Sequence, residues 1–201
     1  MENQKTGQLG SKKKASIFNK GHLFIISAPS GAGKTTIVRA VLDRFADMLY
    51  SISYTTRKPR NGEQDGIDYN FISRDDFKKR IAGGEWAEWA EVHGNNYGTS
   101  TEFLDNGLAS GRNILLDIDV QGTIQILERY PDSITIFIMP PSLETLGKRL
   151  ELRGTDSKAD IARRLVNAEK EMAKKDLYRH IVVNDQLPEA IEKLISIIEK
   201  Y

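Results

Sequence analysis

Leu23 to Thr36, LFIISAPSGAGKTT, is the stretch whose reading decides the fold. Leu23 to Ser27 is a short apolar run, the pattern of a strand buried on both faces in a parallel sheet. Ala28 to Thr35 then matches the phosphate-binding pattern G-x-x-x-x-G-K-[ST] at every position but the first. From Ile37 to Phe45 apolar residues recur at helical spacing, which predicts a helix to about Asp47. Strand, glycine-rich turn and helix therefore stand in the order the motif requires. Gly31 and Gly33 let the backbone curl and turn its N–H groups onto phosphate oxygens, and the helix start adds the positive end of its dipole. Lys34 is placed to reach the β- and γ-phosphates, and the Thr35 hydroxyl to hold Mg²⁺. The phosphate-holding set is Ala28, Pro29, Ser30, Gly31, Ala32, Gly33, Lys34, Thr35 and Thr36. Ala28 departs from the pattern. If its position needs positive φ the alanine costs about 1–2 kcal/mol, and otherwise it is harmless.

The 201 residues suit one domain with room for an inserted subdomain. A composition 39% hydrophobic and 28% charged is that of an ordinary globular protein. The net charge of +1 supplies no global field toward nucleic acid or an anionic membrane, and neither is expected as a partner. The absence of cysteine excludes disulfides, cysteine nucleophiles and thiolate metal sites, and fits a cytoplasmic location. No apolar run approaches the ~20 residues that span a bilayer. Residues 1–21 are polar, with lysines at 12, 13 and 14 and no signal-peptide core, and read as a disordered basic tail. A homo-oligomer is left open.

Beyond the first helix, Tyr50 to Tyr54 is a strand candidate. Thr55 to Phe71, TTRKPRNGEQDGIDYNF, is dense in turn formers, and Pro59 holds Lys58 extended. A helix is expected over Asp75–Ala82, ended by Gly83-Gly84, and a strand over Glu85–Val92, where charged and apolar residues alternate. Asn95 to Thr101 reads as a loop, followed by a helix over Thr101–Ser110 capped by Thr101. The layered pattern then returns. Strands are expected at Asn113–Asp117, Ile134–Met139 and Ile181–Asn184. Helices are expected at Gln121–Tyr130, Ser142–Arg153, Asp156–Asp176 and Pro188–Tyr201. This alternation predicts an α/β fold, a P-loop NTPase-like parallel sheet with helices on both faces. The stretch from about 53 to 101 breaks the pattern and reads as an inserted subdomain facing the phosphate loop.

Asp117 ends an apolar strand, where P-loop proteins place a carboxylate beside Mg²⁺; a strand-ending Asp is also a common turn residue. Arg57 and Arg60 lie on the turn-rich segment as phosphate-gripping candidates or as a solvated basic loop. Tyr69 and Tyr97 add phenolic donors. Glu88, between Trp86 and Trp89, suits either a surface strand position or an acceptor for a base with adjacent N–H groups. Arg149, Arg153, Arg163 and Arg164 suit a phosphoryl clamp or ordinary helix-surface pairs. His22, His93 and His180 have no metal-ligand spacing.

Taken together, SAPSGAGKTT, TTRKPRNGEQDGIDYNF, WAEVHGNNYGTS, ILLDIDVQG, IFIMPPS, RLELRG and IVVND resemble the guanylate kinases in order and spacing, from about His22 to Tyr201. The resemblance implies transfer of a phosphoryl group from ATP to GMP, with Mg²⁺, in purine nucleotide metabolism. It implies a core of 22–52 and 102–201, a GMP-binding subdomain of about 53–101 and a helical lid of about 142–176. By the same resemblance Arg57, Arg60, Tyr69 and Tyr97 hold the GMP phosphate, and Ser53, Glu88, Thr99 and Asp119 face guanine. Lys34 with the lid arginines Arg149, Arg153 and Arg164 is the implied catalytic set, and Thr35 with Asp117 the implied metal set. The rival readings are a non-catalytic guanylate-kinase-like interaction module and a kinase for another phosphorylated acceptor. A scaffold has no need of Gly33, Lys34 and Thr35, which this chain has.

Overall fold

The computed structural model describes residues 20–92, 94–154 and 156–201. Most of the expected tail, residues 1–19, therefore lies outside the described residues, as does His93. Gly21, the last residue assigned to the tail, is already tied into the fold, its N–H donating to Leu108 O at 3.1 Å.

A five-stranded parallel sheet runs in the order β2-β7-β1-β8-β9. Its strands are β1 (Leu23–Ser27), β2 (Leu49–Tyr50), β7 (Ile114–Asp117), β8 (Ile134–Met139) and β9 (His180–Val183). The apolar run of β1 is buried on both sides because alternate residues serve different cores. Phe24 and Ile26 pack with Ile37, Val38 and Val41 of α1 (Lys34–Arg44) and with Leu194 and Ile198 of α7 (Leu187–Ile198). Leu23 and Ile25 pack on the other face with Leu104 and Leu108 of α3 (Thr101–Ala109) and Ile126 of α4 (Val120–Arg129).

A second sheet, ordered β4-β3-β6-β5, is built from β3 (Tyr54–Thr55), β4 (Asn70–Phe71), β5 (Trp86–Val92) and β6 (Asn95–Ser100). Helix α2 (Arg74–Ala82) closes it by stacking Phe77 on Trp86, ring centroids 4.4 Å apart. The hairpin β5–β6 meets the first sheet at α4, where Gln125 exchanges hydrogen bonds with the Trp89 backbone at 3.2 and 3.0 Å. Beyond β8, α5 (Leu143–Leu152) and α6 (Lys158–Met172) pair through a small core of Leu146, Leu150 and Ala168.

Four sequence expectations are corrected. Asn95–Thr101 is not a loop: its Asn, Gly and Thr residues form β6, held between β3 and β5 by pairing that no local signal encodes. The Tyr50–Tyr54 strand is two short strands, one in each sheet, with the chain crossing between them at 51–53. The α3 cap is Ser100, which accepts from Phe103 N, while the Thr101 hydroxyl accepts from Arg129. The helix expected over Asp156–Asp176 is shorter, capped by Ser157 and followed by a separate 3-10 turn at Lys175–Leu177.

Candidate functional site

The β1–α1 turn is shaped by two residues in the left-handed region, Gly31 (φ 97°) and Gly33 (φ 96°). Gly33 is also the N-cap of α1 and brings no side chain to its free N–H groups, leaving the helix start open to an anion. A Cβ on Gly33 would lie 2.4 Å from the Asn184 amide nitrogen, which donates to Ala32 O at 2.7 Å. Ala28 packs its methyl against the core beneath the loop.

Lys34 projects from the first turn of α1 and is ion-paired with Asp117 at the end of β7. Both line a cleft of about 400 Å³ between the two sheets, together with Thr35, Ser53, Tyr69, Glu88, Tyr97 and Asp119. The cleft thus gathers eight of the sequence-predicted residues at the C-terminal edge of the parallel sheet, where open α/β sheets bind ligands. Thr35 and Asp117 offer one hydroxyl and one carboxylate. That donor set suits Mg²⁺ when substrate phosphates and water complete the shell.

The aim of Glu88 comes from a register shift in β5 between Trp86 and Glu88. The irregularity sets Glu88, Ala90 and Val92 along the cleft and leaves Trp89 outside, so the charged residue is inside and the aromatic is partly exposed. Glu88 is 6% exposed, which rules out a surface strand position. Burial pushes its carboxyl up to about 7, with the Asp119 charge adding to the rise and the Thr99 hydrogen bond opposing it. Thr99 is fully buried and its hydroxyl donates to Glu88 at 2.6 Å, so Thr99 stands behind Glu88 and does not line the cleft. Asp119 caps α4, accepting from Gly122 N at 2.8 Å.

Arg57 and Arg60 are treated differently by the fold. The Arg57 guanidinium lies over the Tyr69 and Phe71 rings and donates through Nε to Tyr97 Oη at 3.3 Å. Its Nη atoms grip Glu63 in two bonds of 2.9 Å. The Arg57 fork holds the Glu63 carboxyl down to about 2 and Arg57 itself well above the usual range. Glu63 also accepts from the Arg60 backbone N–H at 2.7 Å, while the Arg60 side chain is exposed.

On the other side of the loop, α5 presses Leu146 and Leu150 against Gly31. Arg164 of α6 donates to the Ser30 hydroxyl at 3.2 Å and pairs with Asp156 at 3.1 Å. Arg149 donates to Asn184 O at 2.9 Å. Arg149, exposed Arg153 and Thr36 line a shallow groove of about 370 Å³ with Gly31, Gly33 and Asn184. Arg163 joins neither cavity and makes a helix-surface pair with Asp160.

Sequence reasoning missed three of these residues. Glu63 had no signal, since its partner is set by loop geometry. Asn184 is buried with Oδ1 lacking a hydrogen-bond partner among the described residues; its place just after an apolar strand at the C-terminal sheet edge could have marked it. Glu171, near the end of α6, has its carboxyl raised by burial and by Asp119, with Lys34 opposing, so it belongs to the electrostatics of the cleft.

A phosphate loop set across a cleft from buried Glu88 and helix-capping Asp119 defines the class, a P-loop nucleotide-binding protein. The guanylate kinase family model matches residues 20–201. A guanylate kinase of Syntrophotalea carbinolica is 51% identical, covering 89% of this chain and 85% of that protein. One of Thermotoga maritima is 44% identical over 89% of this chain and 86% of its own length. The crystal structure of guanylate kinase from Anaplasma phagocytophilum superposes with a TM-score of 0.74 at 31% identity, covering 90% of this chain and 86% of that one. The chain belongs to the guanylate kinase family.

Proposed function

We infer that this protein transfers the γ-phosphoryl group of ATP to GMP, giving ADP and GDP. The single observation that carries the choice of acceptor is Glu88, a carboxylate buried in the cleft beside Asp119 and across from the phosphate loop. Guanine presents N1–H and its 2-amino group side by side, and one carboxylate accepts from both. In this reading Asp119 adds an acceptor, Ser53 serves O6, and Thr99 acts on the base through Glu88.

The ATP phosphates lie on residues 28–36, and the donor nucleoside takes the groove beside Arg149, Arg153 and Asn184. Lys34 then leaves Asp117 for the β- and γ-phosphates, freeing that carboxylate. Thr35 and Asp117 would hold Mg²⁺, which supplies charge neutralisation between the donor phosphates. Arg149, Arg153 and Arg164 close from the 142–176 lid onto the transferring group. No covalent intermediate is needed: the reaction is in-line transfer from the γ-phosphorus to the GMP phosphate oxygen, driven by alignment and preorganised charge. Closure of the lid and of the 53–101 subdomain excludes water that would otherwise take the phosphoryl group. The setting is cytoplasmic purine nucleotide metabolism.

A coupled assay of ADP formation over GMP, IMP, AMP, CMP and UMP tests this. Turnover highest with GMP, weaker with IMP and least with AMP is the expected result, and preference for another acceptor overturns it. Arg57→Ala should raise the KM for GMP by about 10–100-fold, the scale of one lost charge-assisted bond, with little change for ATP. An equal rise for both substrates would show that the Arg57–Glu63 clasp serves only the loop.

A further inference from the structure

We propose that Gly122 is a specificity-determining residue of this enzyme: its missing side chain lets the Glu88 carboxylate stand where guanine meets it. The proposal rests on the reading of Glu88 as the guanine acceptor.

Gly122 occupies the first turn of α4. Glycine is a poor helix former, so its place here asks for a local reason. Its φ is outside the left-handed region, and an alanine backbone would fit without strain. The obstacle is the neighbour. A Cβ on Gly122 would stand 2.9 Å from Glu88 Oε2, 3.3 Å from Glu88 Cδ and 3.3 Å from Ile118 Cδ1. The closest atom is the far end of a side chain, so the backbone is spared and the carboxylate must move.

That movement is constrained. Glu88 Oε1 is pinned by the Thr99 hydroxyl at 2.6 Å, and the residue is 6% exposed. A methyl at position 122 therefore turns the carboxylate about its pinned oxygen and withdraws Oε2, the atom left for a second base N–H. The Gly122 N–H also donates to Asp119 at 2.8 Å, and that bond is retained by alanine. The tightest clash falls on the Glu88 carboxylate, with a lesser one at Ile118, away from the phosphate loop.

The experiment is steady-state kinetics with GMP and IMP on wild type, Gly122→Ala, Glu88→Gln, Glu88→Asp and the Glu88→Asp/Gly122→Ala double variant. Gly122→Ala should raise the KM for GMP by about tenfold, since displacements well under 1 Å at a positioning contact carry costs of this order. The KM for ATP should stay unchanged and the GMP:IMP ratio in kcat/KM should fall. In the Glu88→Asp background, where the shorter side chain clears position 122, the same substitution should cost little. A ratio that survives Gly122→Ala but collapses in Glu88→Gln would overturn the role of Gly122 and leave the reading of Glu88 standing. A ratio that survives Glu88→Gln would overturn that reading and the proposal with it. An equal cost of Gly122→Ala in both backgrounds would assign the effect to helix packing and refute the proposal. If Gly122→Ala alone does not fold, the double variant should. Failure of both to fold would place the crowding at Ile118 and likewise refute it.

Discussion

Lys34→Met is expected to lower kcat by a factor on the order of 10³ while leaving the fold intact, the scale of losing one preorganised charge at a developing anion. Among the residues lining the cleft, Lys34 is the one cation. It is fixed by its place in the first turn of α1, directly after the glycine that opens the loop. Methionine keeps the length and the helix, so structure and charge are separated. The substitution leaves Asp117 without its partner, but that side chain is 16% exposed and retains access to water. Circular dichroism and thermal melting check the fold, and single-turnover ADP formation checks the chemistry. Near-wild-type turnover in a folded Lys34→Met protein would sink the mechanism.

The second large effect concerns the base. GMP should exceed AMP by at least about a thousandfold in kcat/KM, because a site built to hydrogen-bond a substrate group rejects the analogue lacking it. Adenine sets a bare N1 acceptor opposite Glu88 and has no 2-amino group, leaving a buried carboxylate unpaired. IMP, with N1–H but no 2-amino group, should fall between the two. Glu88→Gln should cost GMP about 2–4 kcal/mol in kcat/KM. A mutant that keeps the wild-type GMP:IMP ratio removes Glu88 from base recognition.

The same residue sets a pH dependence. Its carboxyl is pushed up to about 7 by burial, so kcat/KM for GMP should rise as pH climbs through that value and the acceptor ionises. Stability moves the other way. The folded-state pKa lies above the unfolded one, so this contribution is fully present below about 4.5 and is lost as pH rises through about 7. The difference corresponds to about 3 kcal/mol at 1.36 kcal/mol per unit. Glu88→Gln should therefore melt higher than wild type at pH 8 while using GMP poorly. A mutant that melts lower at pH 8 would mean the buried carboxylate is not the source of the cost.

Much of this architecture was legible because its signals are local. Positive φ at Gly31 and Gly33, the apolar run of β1 and the spacing of α1 lie within one continuous stretch, and each carries its own physical signature. Asp117 was marked in the same way, by its place at the end of an apolar strand, whereas the capping role of Asp119 came only from the structure. The resemblance to the guanylate kinases supplied the remaining assignments.

What no local signal carried was decided by pairing across the chain. Strict alternation would have put Glu88 on the same face as buried Trp86; the β5 register shift, seen in its pairing with β6, separates the two, so that Trp86 and Trp89 meet Phe77 and Glu88 lines the cleft. Glycine, asparagine and threonine in β6 have turn chemistry but are held as a strand because both neighbours hydrogen-bond to them. Asn184 meets the phosphate loop across 152 positions of sequence. The sequence by itself determined the phosphate loop, the parallel sheet and the residue types of the site, since these follow from backbone freedom and side-chain period. Only the tertiary structure decided which carboxylate is buried, which is a cap and which arginine is already clasped, because burial and partner choice are properties of packed neighbours.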